Sequence, residues 1–139
     1  MSDPFNLQRF VEAQAPVYTQ VTEELRAGRK RSHWMWFVFP QIRGLGNSDF
    51  ARFYAICSRE EAEAYLNHSV LGPRLRECAQ LVNAIEGRTA KEIFGYPDFL
   101  KFHSSMTLFS LVATDKEVFV AALNKYYGGQ QDGPTVERL

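Results

Sequence analysis

The chain has 139 residues with 16 basic and 16 acidic side chains, so its formal net charge is zero. This length is typical of one domain, and we expect a single domain over residues 1–139. The even charge balance excludes a globally basic nucleic-acid coat and a disordered chain of high net charge. Aromatic residues make up 14% of the chain, which predicts a folded protein with an aromatic core.

The N-terminal part of the chain is predicted to form helices separated by helix breakers. Asp3 or Asn6 can cap a first helix, and Pro16 either kinks that helix or starts a second one. The second helix is expected to end at Gly28. The apolar run 34–39 suits either a buried strand or one helical turn that stops before the following proline. We favour the short helix, because no second strand is evident to pair with this run.

Three possible capping boxes predict helix starts farther along the chain. In a capping box, a Ser or Thr accepts a hydrogen bond from the third helical residue, whose Glu bonds back. The matches are Ser58 with Glu61, Thr89 with Glu92, and Thr114 with Glu117. Ser48 and Pro97 mark the starts of two more helices. No segment shows sustained alternation of apolar and polar residues. We therefore predict an all-α fold, a compact single-domain bundle of about six to seven helices.

Metal, disulfide and membrane functions have no support in the sequence. Cys57 and Cys78 lack CxxC spacing, and no histidine has a second ligand at i+3 or i+4. The longest apolar run is far shorter than the roughly 20 residues that cross a bilayer. The N-terminus also lacks the pattern of a signal peptide. We expect a cytoplasmic protein that uses no metal and no cofactor and has no membrane partner.

One stretch is suited to binding a ligand, and we call residues 29–46 the basic and aromatic segment. No acidic residue occurs between Glu24 and Asp49, and several Arg and Lys residues lie directly before the aromatic run 34–39. Basic side chains hold phosphate and aromatic rings stack on bases, so the segment suits a phosphorylated or nucleotide-like molecule. The same residues also suit two structural roles, since Arg and Lys are common at helix ends and aromatic residues in cores.

Individual residues of this segment, together with Ser104 outside it, can be given roles in binding or catalysis. The candidate catalytic residues are His33 and Gln41, and the candidate ligand-binding residues are Arg31, Trp34, Trp36, Arg43 and Ser104. The arginines would hold an anion, a tryptophan would stack, and His33 could serve as a general base. Ser104, Thr107 and Ser110 lie nearly on one helix face, which either lines a cavity or lets two helices approach closely.

A non-catalytic module that binds protein or nucleic acid is the alternative function. The zero net charge argues against nucleic acid but still permits a local basic patch. A partner protein would need an exposed apolar patch, and sequence alone does not show exposure. No pattern in the sequence indicates an oligomeric state.

The motif SHWMWF-x-FPQ, from Ser32 to Gln41, points to a known family. Further blocks with the same resemblance are residues 25–31, 43–46, 68–77, 93–95, 97–98 and 104–109. Together they resemble the bacterial family of unknown function whose members are often labelled "calpastatin". The resemblance covers nearly the whole chain and implies a compact, mainly α-helical domain. It implies no established activity, cofactor or catalytic residue.

Overall fold

The computed structural model describes residues 3–139, and this part of the chain contains helices and no strand. In chain order the helices are α1 (Gln8–Gln14), α2 (Tyr18–Arg26), α3 (Met35–Val38), α4 (Asp49–Phe53), α5 (Arg59–Asn67), α6 (Leu71–Asn83), α7 (Ala90–Phe94), α8 (Asp98–Val112), α9 (Glu117–Tyr127) and α10 (Gly133–Arg138). The all-α prediction is confirmed. Six of these helices have seven or more residues, in agreement with the predicted six to seven.

Local capping explains two of the three predicted helix starts. The Thr89 box forms in full, since the Glu92 N–H donates to Thr89 Oγ1 at 3.1 Å and the Thr89 N–H to Glu92 Oε1 at 2.8 Å. Ser58 caps α5 by accepting a hydrogen bond from the Glu61 N–H at 3.1 Å. The prediction at Thr114 is wrong, because α9 begins three residues later without a side-chain cap.

Helix α8 lies at the centre of the fold and contacts α5, α7, α9 and α10. From Phe102 to Ser110 most of its residues are buried. The Phe102 ring centroid lies 4.9 Å from that of Phe39 and 4.7 Å from that of Phe94. Aromatic pairs at such distances add about 0.5–1.5 kcal/mol each beyond the area they bury. The aromatic surplus in the composition is therefore largely a core feature.

Close helix packing requires glycine at one position in the bundle. A β-carbon on Gly72, in the first turn of α6, would lie 2.1 Å from the carbonyl oxygen of Leu66 in α5. No side chain fits at that distance, so only glycine lets the two helices approach this closely. Gly72 thereby permits the close packing of α5 on α6.

The segment after α2 forms the predicted short helix, α3, rather than a strand. Beyond α3, a single parallel bridge joins Ile42 to Ile56. Its hydrogen bonds run from the Arg43 N–H to the Ile56 carbonyl and from the Ile56 N–H to the Gln41 carbonyl, both at 2.8 Å. The bridge closes the ends of a surface loop, residues 43–55, that contains α4. We call it the arginine loop because Arg43 and Arg52 lie on it.

The C-terminal helix α10 docks on the polar face of α8. Asp132 caps α10, with its Oδ2 accepting from the Thr135 N–H at 3.3 Å and the Thr135 hydroxyl at 2.6 Å. The Asp132 N–H donates to Thr107 Oγ1 at 3.0 Å. The Ser104 hydroxyl donates to Asp132 Oδ2, also at 3.0 Å. The hydroxyl face of α8 thus mediates a close helix contact, one of the two roles expected for it.

Candidate functional site

A buried carboxylate organises the first half of the basic and aromatic segment, residues 29–34; residues 35–46 are its second half. Glu24 of α2 is 8% exposed, and its Oε1 accepts from the N–H of Arg31 at 2.8 Å, the N–H of Ser32 at 3.0 Å and the Trp34 indole at 2.9 Å. Its Oε2 accepts from the Ser32 hydroxyl at 2.6 Å. Burial opposes ionisation of Glu24, but these hydrogen bonds outweigh it and lower its pKa to about 2. Glu24 is therefore ionised at neutral pH and fixes the path of the chain.

The remaining side chains of this first half face solvent or the core. Lys30 pairs with Asp98 at the start of α8, with Nζ 2.8 Å from Oδ2, and lies 5.2 Å from the Trp34 ring centroid. Trp34 is only 1% exposed and belongs to the core. The side chains of Arg31 and His33 are exposed. The second half of the segment borders two surface depressions, which are described next. None of the first-half residues lines either of them.

The second half of the segment closes a small cavity together with the arginine loop. We call it the arginine depression, and its volume is about 100 Å³. Its polar and aromatic lining residues are Trp36, Gln41, Arg43, Arg52, Tyr54 and Cys57. A single water needs about 10–15 Å³ on this measure, so the depression holds several atoms of a ligand. Trp36 is held at the edge by Phe50, whose ring centroid lies 5.1 Å away.

Positive charge without a carboxylate partner surrounds the arginine depression. Arg52 donates from Nε to the Asn47 carbonyl at 3.0 Å. Arg138 reaches from α10 to the Gly44 carbonyl, with its Nη2 at 3.4 Å. Within residues 3–139, neither of these arginines nor Arg43 forms a salt bridge. Their charge is available to an anionic ligand.

A second, larger depression adjoins the first, and we call it the Asp132 depression. Its volume is about 260 Å³, and the residues that line it include Gln41, Gly46, Lys101, Ser104 and Asp132. Because Gln41 and Gly46 also line the arginine depression, the two are contiguous. The Gln41 side chain is partly buried. In the part of the chain that the structure covers, its carboxamide makes no hydrogen bond with another residue.

Some of the predicted site residues lie at the two depressions and others do not. The structure brings Trp36, Gln41, Arg43 and Ser104 to the two depressions, whereas Arg31, His33 and Trp34 lie outside them. The residues that were not predicted are Arg52, Lys101, Asp132 and Arg138. They reach the site through the Ile42–Ile56 bridge and the docking of α10 on α8, and no local spacing indicates these long-range contacts.

The structure also bears on metal binding and membrane insertion. No three His, Cys, Asp or Glu side chains between residues 3 and 139 lie together as a metal-binding group. Over the same residues, no helix has both the length and the apolar character needed to span a bilayer.

Comparison with known proteins places the chain in a family. Residues 4–139 match the family described as "Protein of unknown function (DUF1810)". The chain therefore belongs to this family, and the resemblance to a helical family of unknown function is confirmed. The chain is similar to the conserved hypothetical protein Rv1873 from Mycobacterium tuberculosis, known from a crystal structure at 1.38 Å. The identity is 64% and the TM-score 0.97, over 99% of this chain and 98% of that chain. No curated protein matches the chain.

Proposed function

We propose that the protein binds a small phosphorylated or nucleotide-like molecule through the basic and aromatic segment, with the arginine depression as the anion subsite. The observation that carries this proposal is the shared lining of one cavity by Trp36, Gln41, Arg43 and Arg52. Arginine holds phosphate by two parallel N–H···O bonds, and its planar fork suits this geometry better than lysine does.

The aromatic lining supports a ligand that contains a planar ring. Trp36 is partly buried, and the Lys101 ammonium lies 5.1 Å from its ring centroid. A tryptophan at the edge of a cavity offers a stacking surface for a base. Trp34, the other tryptophan of the segment, is enclosed by the core. We therefore assign the stacking role to Trp36.

Binding has more support in the geometry than catalysis does. Gln41 lines both depressions, but a carboxamide does not exchange a proton near neutral pH and can only orient a ligand by hydrogen bonds. His33, the candidate general base, is exposed and lies outside the depressions. A catalytic role for His33 stays a prediction, which a His33→Ala variant can test once a ligand is known.

Isothermal titration calorimetry with adenosine monophosphate and with inorganic phosphate tests the proposal. Arg43→Ala and Arg52→Ala should each weaken binding of both compounds about tenfold, because each removes a charged donor worth about 1.4 kcal/mol. Arg31→Ala is the matched control, since it removes an exposed arginine of the same segment outside the depression. The proposal fails if no phosphorylated compound binds, or if Arg31→Ala weakens binding as much as Arg43→Ala.

Exposed aromatic residues on α4 favour a second candidate, a non-catalytic module for single-stranded nucleic acid. Phe50 and Phe53 are 58% and 54% exposed, and Arg52 lies between them in the sequence. Aromatic side chains beside arginines are typical of such surfaces. Fluorescence anisotropy with a labelled oligonucleotide would then show affinity that falls steeply with salt and that depends on Phe53. A Phe53→Ala variant with unchanged affinity, or a flat salt response, would reject this candidate.

A further inference from the structure

The two contiguous depressions differ in the chemistry that they present to a ligand. The arginine depression offers guanidinium donors, whereas the Asp132 depression offers a carboxylate, a carboxamide, an ammonium and a hydroxyl. Phosphate suits the first, where no salt bridge compensates the arginines. It does not suit the second, because Asp132 repels an anion and Asp98, 3.7 Å from the Lys101 ammonium, partly compensates that charge.

Asp132 keeps part of its hydrogen-bonding capacity for a ligand. Its Oδ2 accepts from Ser104 and from two donors of Thr135. Among residues 3–139, no donor contacts its Oδ1. An ionised carboxylate accepts hydrogen bonds at both oxygens, so this oxygen is available to a donor in the cavity. The carboxamide of Gln41, which is likewise without a partner in the described chain, can both donate and accept.

A hydroxylated sugar ring requires hydrogen-bond acceptors, hydrogen-bond donors and a neighbouring aromatic ring. Sugar hydroxyls both donate and accept hydrogen bonds, so Asp132 and Gln41 suit them together, and Lys101 adds a donor. A ligand that carries a phosphate beside a sugar ring would extend from one depression into the other across Gln41. Because the two depressions adjoin at Gln41 and Gly46, we infer that the ligand of the proposed site is a phosphorylated sugar, with its phosphate at Arg43 and its hydroxyls at Gln41 and Asp132.

This inference rests on the proposed anion subsite and goes beyond it by naming the substrate class. The phosphorylated sugar can be free or can be part of a nucleotide, because both contain the same phosphate and hydroxylated ring. In the nucleotide, the base would add stacking on Trp36. The two sources therefore differ in whether a base increases the affinity.

Calorimetric titration with four compounds tests the inference: inorganic phosphate, ribose, ribose 5-phosphate and adenosine monophosphate. Ribose 5-phosphate should bind at least about tenfold more tightly than inorganic phosphate, corresponding to about 1.4 kcal/mol of added interaction. Ribose alone should bind more weakly than ribose 5-phosphate. Adenosine monophosphate binding more tightly than ribose 5-phosphate would support a nucleotide, and equal affinities would support a free sugar phosphate.

Two variants should weaken sugar binding without removing the anion subsite. Asp132→Asn keeps an oxygen that can cap α10 but removes the negative charge, and Gln41→Ala removes a side chain that makes no hydrogen bond within the described protein. Each should reduce the affinity for ribose 5-phosphate about fivefold and change that for inorganic phosphate less than about twofold. Arg43→Ala, the matched control, should weaken both compounds by the same factor.

The outcomes separate the inference from the function on which it rests. If inorganic phosphate binds and ribose 5-phosphate binds no more tightly, the sugar assignment is wrong and the anion subsite stands. The assignment also fails if both variants leave the ratio of the two affinities unchanged. If none of the phosphorylated compounds binds, the proposed function itself fails. Circular dichroism of each variant shows whether the fold is intact, and Gln41→Ala decides the question if Asp132→Asn does not fold.

Discussion

The two halves of the basic and aromatic segment each contain arginine and one tryptophan, but their environments differ. In the first half, the backbone of Arg31 and Ser32 and the indole of Trp34 are bound to the carboxylate of Glu24. In the second half, Arg43 lies beside a cavity, and no acidic side chain of the described chain pairs with it. The backbone and the indole of the first half are consequently part of the framework, whereas the second half lines a cavity.

This difference shows that a stretch without acidic residues is misinterpreted when the acidic residue directly before it is ignored. The window without acidic residues begins directly after Glu24. In the sequence alone, the residues that follow therefore resemble a uniform basic stretch. The chain turns after α2, so that Glu24 faces the residues that follow it within one short loop. Glu24 thus binds the backbone and the indole of the first half, whereas the side chains of Arg29 and Arg31 are exposed and lie outside the depressions.

The largest expected effect is the loss of stability in Glu24→Ala. The substitution leaves the N–H groups of Arg31 and Ser32 and the indole of Trp34 without their acceptor, and each unsatisfied buried donor costs about 1–3 kcal/mol. We expect the free energy of unfolding, measured by urea denaturation, to fall by about 4 kcal/mol. The exposed neighbour Glu23 provides the control, and Glu23→Ala should change stability by less than about 0.5 kcal/mol. A loss below about 1 kcal/mol in Glu24→Ala would show that the first half does not depend on this carboxylate.

Low pH should also remove the stabilisation that Glu24 provides. The expected loss of unfolding free energy is slightly smaller than in Glu24→Ala. The pKa of Glu24 is lowered from 4.5 to about 2 in the folded protein. A lowered pKa stabilises the fold above the unfolded value, near pH 4.5, and this stabilisation is lost as pH falls towards 2. The shift corresponds to at most about 3 kcal/mol. The difference in unfolding free energy between wild type and Glu24→Gln should therefore shrink between pH 6 and pH 2, and a difference independent of pH would contradict the prediction.

The sequence predicts features that depend on neighbouring residues better than those that depend on distant ones. The Thr89 cap and the short helix after Trp34 follow from residues a few positions apart, and both form. Ser104, predicted as a ligand-binding residue, lines the same depression as Gln41. By contrast, nothing in the sequence around Asp132 indicates that it contacts α8. It does cap α10, but its contact with Ser104, 28 positions away, depends on the docking of α10 and has no local signal.

A third prediction concerns the ion pair that anchors the first half to α8. Lys30 and Asp98 have side chains that are 7% and 19% exposed, so Lys30→Met leaves a mostly buried carboxylate with only the more distant Lys101 as partner. We expect a loss of about 2 kcal/mol, less than for a fully buried pair because Asp98 is partly solvated. Lys91→Met, at an exposed position of α7, is the control and should be near neutral. Equal stability of the two variants in urea would show that the pair is not an anchor.

The smallest expected effect on stability is that of Trp36→Phe. The two tryptophans also give the most direct comparison of the two halves. Trp34 is enclosed in the core and Trp36 borders the arginine depression, so acrylamide should quench the fluorescence of Trp36 and not that of Trp34. Trp36→Phe should remove most of the quenching and lower the unfolding free energy by less than about 1 kcal/mol. In the wild type, saturating ribose 5-phosphate should protect Trp36 from acrylamide. Quenching that persists unchanged in Trp36→Phe would place the accessible indole in the first half and remove the distinction between the halves.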